Sequence, residues 1–136
     1  MLSKLKHIQL PNIPDKRGNI SFFENKNEIP FEIKRTCWIY DTKAGIKLES
    51  YAFIKSQEFI VALSGSFDII INDGISEKKI NLNSPNKGLY VPNMLWKTFE
   101  NFSTNSLVLI VSSMHFDKGD YLSDFKIFKE NINEKK

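Results

Sequence analysis

Imidazole and thiol, side chains suited to proton and metal chemistry near neutral pH, are scarce in this sequence and set the limits. Histidine occurs twice, at His7 and His115, and neither has a second ligand at HxH or HxxxH spacing. No histidine-based iron, zinc or manganese centre is therefore expected. Cys37 is the sole cysteine, which excludes an internal disulfide or a CxxC clip, suits a reducing compartment, and predicts a small buried apolar role for that residue. Acid–base work would then fall to oxygen groups. Glu49, Tyr51 and Phe53 alternate, so a strand there puts all three on one face, where Glu49 and Tyr51 can form a carboxylate–phenol pair. Desolvation beside Phe53 would raise a carboxylate toward neutrality and let it remove a proton next to a carbonyl. The competing reading leaves Glu49 solvated at the strand mouth near Lys47, as exposed carboxylates usually are.

Those side chains need a frame. From Pro30 onward, short runs rich in β-branched and aromatic residues (31–40, 50–54, 58–63, 66–71, 79–82, 88–91, 97–102 and 107–112) alternate with segments that accept turn geometry. Asp73-Gly74 is the clearest hairpin turn. Short strands at spacings of about ten residues, with no amphipathic helix between them, predict an antiparallel sandwich or barrel. One helix is expected over 120–131, where Tyr121, Leu122, Phe125 and Phe128 recur at intervals that make an apolar stripe. The tail after it, 133–136, is expected to fray.

The chain has 136 residues, 41% hydrophobic and 26% charged, which leaves room for one core and predicts a single domain over 1–136. The apolar run Leu107 to Val111 falls far short of the ~20 residues of a membrane helix, and the N-terminus lacks the apolar segment of a signal peptide, so no membrane partner and a cytoplasmic location are expected. The net charge of +3 owes much to Lys4, Lys6, Lys135 and Lys136. Elsewhere lysines are scattered among acidic residues without a basic stripe, so no nucleic-acid partner is expected. A modest positive potential suits a phosphate-bearing small ligand.

Nine stretches, in order, carry a resemblance: Asp15-Lys16-Arg17-Gly18, residues 29–35, Tyr40-Asp41, 57–67, Asp73-Gly74, 84–92, Trp96, 100–103, and Asp117 with Asp120-Tyr121. Together they resemble the cupin-fold nucleotide-sugar 3,4-ketoisomerases that act on dTDP-4-keto-6-deoxyglucose. The resemblance implies an all-β fold, a single cupin-type jelly-roll barrel with a short C-terminal helix. It also implies a homodimer, a dTDP-linked sugar as partner, and a place in deoxysugar and surface-polysaccharide biosynthesis; no metal or other cofactor is expected.

The family's Arg-Gly-x-His-Ala-His-Lys segment, whose two histidines are taken to move protons between C3 and C4 of the sugar, falls on residues 48–54. Leu48 stands for the arginine, Tyr51 for the first histidine and Phe53 for the second, while Ala52 is kept. Cys37 stands where the family usually has a tyrosine. Imidazole suits a keto shift because its pKa lies near 6.5, whereas phenylalanine transfers no proton and a phenol, near 10, serves more readily as an acid. Two readings follow: an isomerase working through Tyr51 and Glu49, or a non-catalytic sugar-nucleotide-binding relative or partner subunit of another enzyme.

The remaining candidates concern binding. Arg17 and Arg35, with Lys34, sit in matching segments where a cation could hold a diphosphate; the alternative is ion pairing with Asp15, Glu24 or Glu32. Tyr90 and Trp96 could stack on a thymine, or else fill a core or a dimer interface. Phe53 is expected to line the pocket. His115 could titrate near the pocket mouth, although a lone histidine is usually structural.

Overall fold

Every apolar run predicted from the sequence contains a strand in the computed structural model, which describes residues 2–134. The strands are β1 (Lys6–Gln9), β2 (Asn12–Asp15), β3 (Gly18–Ser21), β4 (Arg35–Ile39), β5 (Ala52–Phe53), β6 (Glu58–Ser64), β7 (Phe67–Asn72), β8 (Glu77–Leu82), β9 (Lys87–Val91), β10 (Trp96–Glu100), β11 (Leu107–Ser112) and β12 (Tyr121–Leu122). The helix α1 spans Phe125–Glu134. The three strands before Pro30 carry exposed, polar-rich residues, so no apolar alternation announced them.

A five-stranded sheet, ordered β1-β9-β6-β11-β4, faces a three-stranded sheet, β10-β7-β8, and all their pairings are antiparallel. Ile60, Ala62, Leu89, Val91, Val108 and Ile110 from the first sheet meet Phe67, Ile69, Ile71, Ile80, Leu82 and Phe99 from the second in one buried core. This is the all-β cupin-type architecture, but among the described residues backbone hydrogen bonds do not run continuously around it: the jelly roll is a sandwich of separate sheets. One end is bridged by Tyr51 and Lys97, whose amides each donate to the other's carbonyl (3.0 and 2.8 Å). The outer face of the larger sheet is covered in turn, with Phe59, Val61 and Val111 packing on Leu10, Ile29 and Phe31. Gly88 is required there, because a Cβ at that position would lie 2.2 Å from the Phe59 ring and 2.8 Å from the Ile60 carbonyl oxygen.

The C-terminal segment departs from the helix expected over 120–131. Asp120 is buried and accepts from Lys55 N (2.8 Å), Ser56 N (3.1 Å) and the Ser56 hydroxyl (2.6 Å). Tyr121 and Leu122 pair as a strand with Phe53 and Ala52. Only after Asp124, whose carboxylate accepts from Lys126 N and Ile127 N in N-cap fashion, does the helix start. Tertiary pairing has therefore taken the first half of the periodic stripe for a strand. Phe125, Phe128 and Ile132, on one helix face, then pack on Ala52, Trp96 and Leu122. Of the expected frayed tail, Lys135 and Lys136 lie outside the described residues.

Phe128 is fully buried at the centre of this contact. Phe128→Ala should lower the unfolding free energy by about 3–5 kcal/mol, the usual cost of emptying a buried aromatic site. A urea midpoint unchanged from the parent chain would show that α1 is not docked on β5 as described.

Candidate functional site

Strand register decides which side chains enter the interior. Cross-strand partners share a face, so Lys97, opposite Ile71, and Phe99, opposite Ile69, turn inward, while Trp96 and Thr98 turn outward. Glu58 lies opposite Ser112 and Val91 and alternates with Ile60 and Ala62, which puts its carboxylate on the interior face at the start of β6. Tyr51 lies opposite Lys97 and points the same way. Phe53, two residues on, joins them opposite Tyr121. From the edge strand β4, Arg35 and Cys37 lie opposite Ser112 and Ile110 and complete that end of the sandwich.

The result is a charged core inside an aromatic wall. Glu58 and Lys97 are each only 1% exposed, and Lys97 Nζ lies 2.8 Å from Glu58 Oε1. Lys97 Nζ also donates to the Leu95 carbonyl (3.3 Å) and sits 4.6 Å from the Tyr51 ring centre and 5.3 Å from that of Phe53, within range of cation–π attraction. The Tyr51 hydroxyl donates to Glu58 Oε2 at 2.9 Å. Oε1 is buried and, among the described residues, receives no hydrogen bond; the ammonium approaches it outside hydrogen-bond geometry. Taking two such ions out of water costs several kcal/mol each, so the pair persists because each charge needs the other.

Rings close over this group. Tyr51 packs on Phe53 (5.2 Å between centres), Tyr121 (5.8 Å) and Phe99 (6.2 Å), and Phe53 packs edge-on to Tyr121 (4.6 Å). Arg35 stands at the mouth, its guanidinium 5.5 Å from the Phe53 ring and 5.7 Å from Phe116, with one nitrogen donating to the Ser112 hydroxyl (3.4 Å). A neighbouring cleft of about 440 Å³ is lined by Lys34, His115, Phe116 and Asp117, among others. Burial, and after it the Glu58 charge, hold the Tyr51 phenol well above its ordinary value, so it is a hydrogen-bond donor at neutral pH. Burial also raises the Tyr121 phenol, against the opposing charge of Arg35.

The sequence-derived candidates divide accordingly. Tyr51, Phe53 and Arg35 come together. Glu49 does not: the strand begins only at Ala52, so alternation does not extend back to residue 49, and its side chain is exposed. The carboxylate that meets Tyr51 is Glu58. Tyr90 faces the outer side of β9, against Phe31 and with its hydroxyl on Gln57, while Trp96 lies under α1. Both are turned away from the interior. Arg17 is 91% exposed on the β2–β3 hairpin and pairs with Asp15. Cys37 is exposed rather than buried, because β4 is the outermost strand of its sheet. Glu58 and Lys97 escaped the sequence reading, although each shares the parity of apolar neighbours (Ile60 and Ala62; Phe99). A charge at an inward position of a predicted strand was the available signal.

Comparison with known proteins shows the family of the chain. A family model described as FdtA: WxcM-like, C-terminal matches residues 3–133. The chain belongs to that family. It is 35% identical over 127 residues, covering 93% of this chain and 91% of the other, to the TDP-4-oxo-6-deoxy-alpha-D-glucose-3,4-oxoisomerase of Aneurinibacillus thermoaerophilus. Among solved structures it is similar to the WlaRB TDP-quinovose 3,4-ketoisomerase of Campylobacter jejuni (TM-score 0.90, 36% identity, 94% of this chain and 98% of that one). It is also similar to a histidine-to-asparagine mutant of the 3,4-ketoisomerase QdtA from Thermoanaerobacterium thermosaccharolyticum in complex with TDP-4-keto-6-deoxyglucose (TM-score 0.94, 28% identity, 98% and 97%).

The Tyr51 environment has a measurable consequence. Unfolded, a tyrosine ionises near 10, and in this fold Tyr51 does so later. Between the two values the folded state binds the extra proton, so this contribution to stability is intact below pH 10 and is lost as pH rises beyond it. Tyr90 and Tyr121 shift in the same direction. In an absorbance titration Tyr51 should ionise only as the chain unfolds, and Tyr51→Phe should lessen the alkaline loss of stability. Reversible ionisation of Tyr51 in the folded chain near pH 10 would contradict this geometry.

Proposed function

We propose that this chain is a 3,4-ketoisomerase of a TDP-linked 4-keto-6-deoxyhexose, with the sugar held over Tyr51 and Phe53 and the diphosphate near Arg35. The observation that carries the reading is the Tyr51 hydroxyl, directed at an interior carboxylate, in the position where the family resemblance puts the first imidazole. A proton-transfer group is thus retained there although the histidine is not. Support for the ligand comes from relatives at 35% and 36% identity that act on TDP-sugars, and from the Arg35, Lys34 and His115 side chains around the mouth and its adjoining cleft. That a relative with one histidine replaced still forms a complex with TDP-4-keto-6-deoxyglucose supports binding without that imidazole. The reading calls on no metal or other cofactor, since the keto shift is internal to the sugar and proton transfer suffices.

A second reading, a binding protein without turnover, is favoured by one observation. Phe53 fills the second histidine position with a buried ring that cannot carry a proton. The two readings separate in one experiment. The chain incubated with TDP-4-keto-6-deoxyglucose should yield the 3-keto isomer by proton NMR, and Arg35→Ala should raise KM. Thermal stabilisation by TDP with no isomer formed at high enzyme concentration would establish the binding reading instead.

We also propose a cytoplasmic homodimer. A lone exposed thiol suits a reducing compartment. Among the described residues, strands β2 and β3 pair only with each other, and Ile13 and Ile20, cross-strand partners, are 54% and 62% exposed. A two-stranded ribbon is marginal by itself and gains by packing on something larger. The edge strand β4 and the residue after it offer Trp38 and Tyr40, also exposed, as a surface for a second copy's hairpin, which would carry Arg17 to the mouth of its neighbour's site. Light scattering should give twice the 15.8 kDa chain mass, and the double variant Ile13→Lys, Ile20→Lys should give the monomer. A monomeric parent chain at micromolar concentration would refute the dimer.

A further inference from the structure

Glu58 and Lys97 form a buried charged pair for which the fold alone gives no reason. Their neighbours on the same faces of β6 and β10 are apolar: Ile60 and Ala62 on one, Phe99 on the other. Apolar side chains at both positions would extend that core without the desolvation cost that the ions incur, and replacing a buried ion pair by well-packed apolar groups is often neutral or stabilising. The pair also lies in contact with Tyr51, the one interior hydroxyl that the isomerase reading uses. A phenol held well above its ordinary pKa is a poor base by itself, because the phenolate it would have to form is disfavoured. It can accept a proton only if it gives up its own at the same moment, and Glu58 Oε2, 2.9 Å away, is placed to take it. Buried acid–base side chains in direct hydrogen-bond contact, as Tyr51 and Glu58 are, are what proton-transfer sites are built from.

Building on the isomerase reading, we propose that Glu58 is the terminal proton acceptor of a relay through Tyr51, with Lys97 positioning its carboxylate. In the forward half, the C3–H bond breaks and its proton goes to the Tyr51 oxygen while the Tyr51 O–H proton passes to Glu58. The C3–H electron pair becomes the C3=C4 bond, and the π pair of the C4 carbonyl is left on O4. The negative charge lost by the carboxylate thus reappears on the enediolate. In the second half, the O3 proton shifts to O4, the C3 carbonyl forms, and C4 takes a proton from Tyr51 as Glu58 returns the one it held. No oxidant, reductant or co-reactant enters. Glu58 works through Tyr51 and is a positioning and proton-holding residue; Tyr51 is the group that meets the sugar.

Three variants of the full chain test the relay by kcat and KM for isomerisation of TDP-4-keto-6-deoxyglucose, with TDP-induced thermal shift as the measure of binding. Tyr51→Phe keeps the ring packing and removes the hydroxyl. Glu58→Gln removes the acceptor but leaves the Lys97 charge unpaired in the core, so the neutral double variant Glu58→Gln, Lys97→Met guards against loss of folding. The relay predicts that kcat falls by about 10²–10⁴-fold in all three, the range of positioned acid–base groups, with KM within about threefold and the TDP shift retained. Turnover surviving in Tyr51→Phe or in the neutral double variant overturns the relay and leaves the isomerase reading standing. A parent chain without turnover overturns both.

Discussion

A carboxylate and an ammonium ion held together beyond the reach of water shape the interior of this molecule. Glu58 comes from the five-stranded sheet and Lys97 from the three-stranded one, so their contact is a polar tie between two layers otherwise joined by apolar packing. Neither charge is tolerable alone at that depth. Once both are present, the surroundings follow: the Tyr51 hydroxyl supplies the hydrogen bond to one carboxylate oxygen, and the rings of Tyr51 and Phe53 present their faces to the ammonium. The aromatic wall over the site is thus the environment that a buried lysine can accept.

The outer side of the same end is built to hold that arrangement still. The two-residue strand β5, which carries Phe53, is too short to be stable by its own pairing. It is held by β12 along one edge, by the Tyr51–Lys97 backbone bridge at its start, and by the Asp120 carboxylate on the turn that follows. The helix then seals the face opposite the site, with Phe128 against Ala52 and Trp96. Trp96 takes part in this outer packing, while Tyr90 lies on the outer face of the larger sheet against Phe31; the rings around the Glu58–Lys97 pair come from Tyr51, Phe53, Phe99 and Tyr121.

Much of the fold was legible because alternating apolar residues and turn chemistry are local signals. Asp73-Gly74 turns the chain between β7 and β8, with the Asp73 carboxylate accepting from Ile75 N and Ser76 N, and the long apolar runs become the central strands. The signals failed where pairing, not local pattern, decides. Tyr121 and Leu122 fit a helical stripe but become a strand, because Phe53 and Ala52 offer an edge that satisfies their backbone groups. Strands β2 and β3 expose nearly everything they carry, so no burial pattern marked them.

The candidate site shows the same boundary more sharply. The sequence by itself determined that no histidine lies between His7 and His115, that Tyr51 and Phe53 alternate and so share one face of a strand, and that Arg35 follows Lys34 at the start of an apolar run; residue identity and spacing are sufficient for those statements. Which carboxylate Tyr51 meets was decided only by the tertiary structure. Glu49 is two residues away and Glu58 seven, yet the strand begins after Glu49, while the turn at 54–57 brings the start of β6 back beneath the ring. Lys97 lies still farther along the chain and arrives through the bridge between β10 and Tyr51. A hydrogen bond and an ion pair depend on separations of about 3 Å in space, and sequence distance carries that information only within a single regular element.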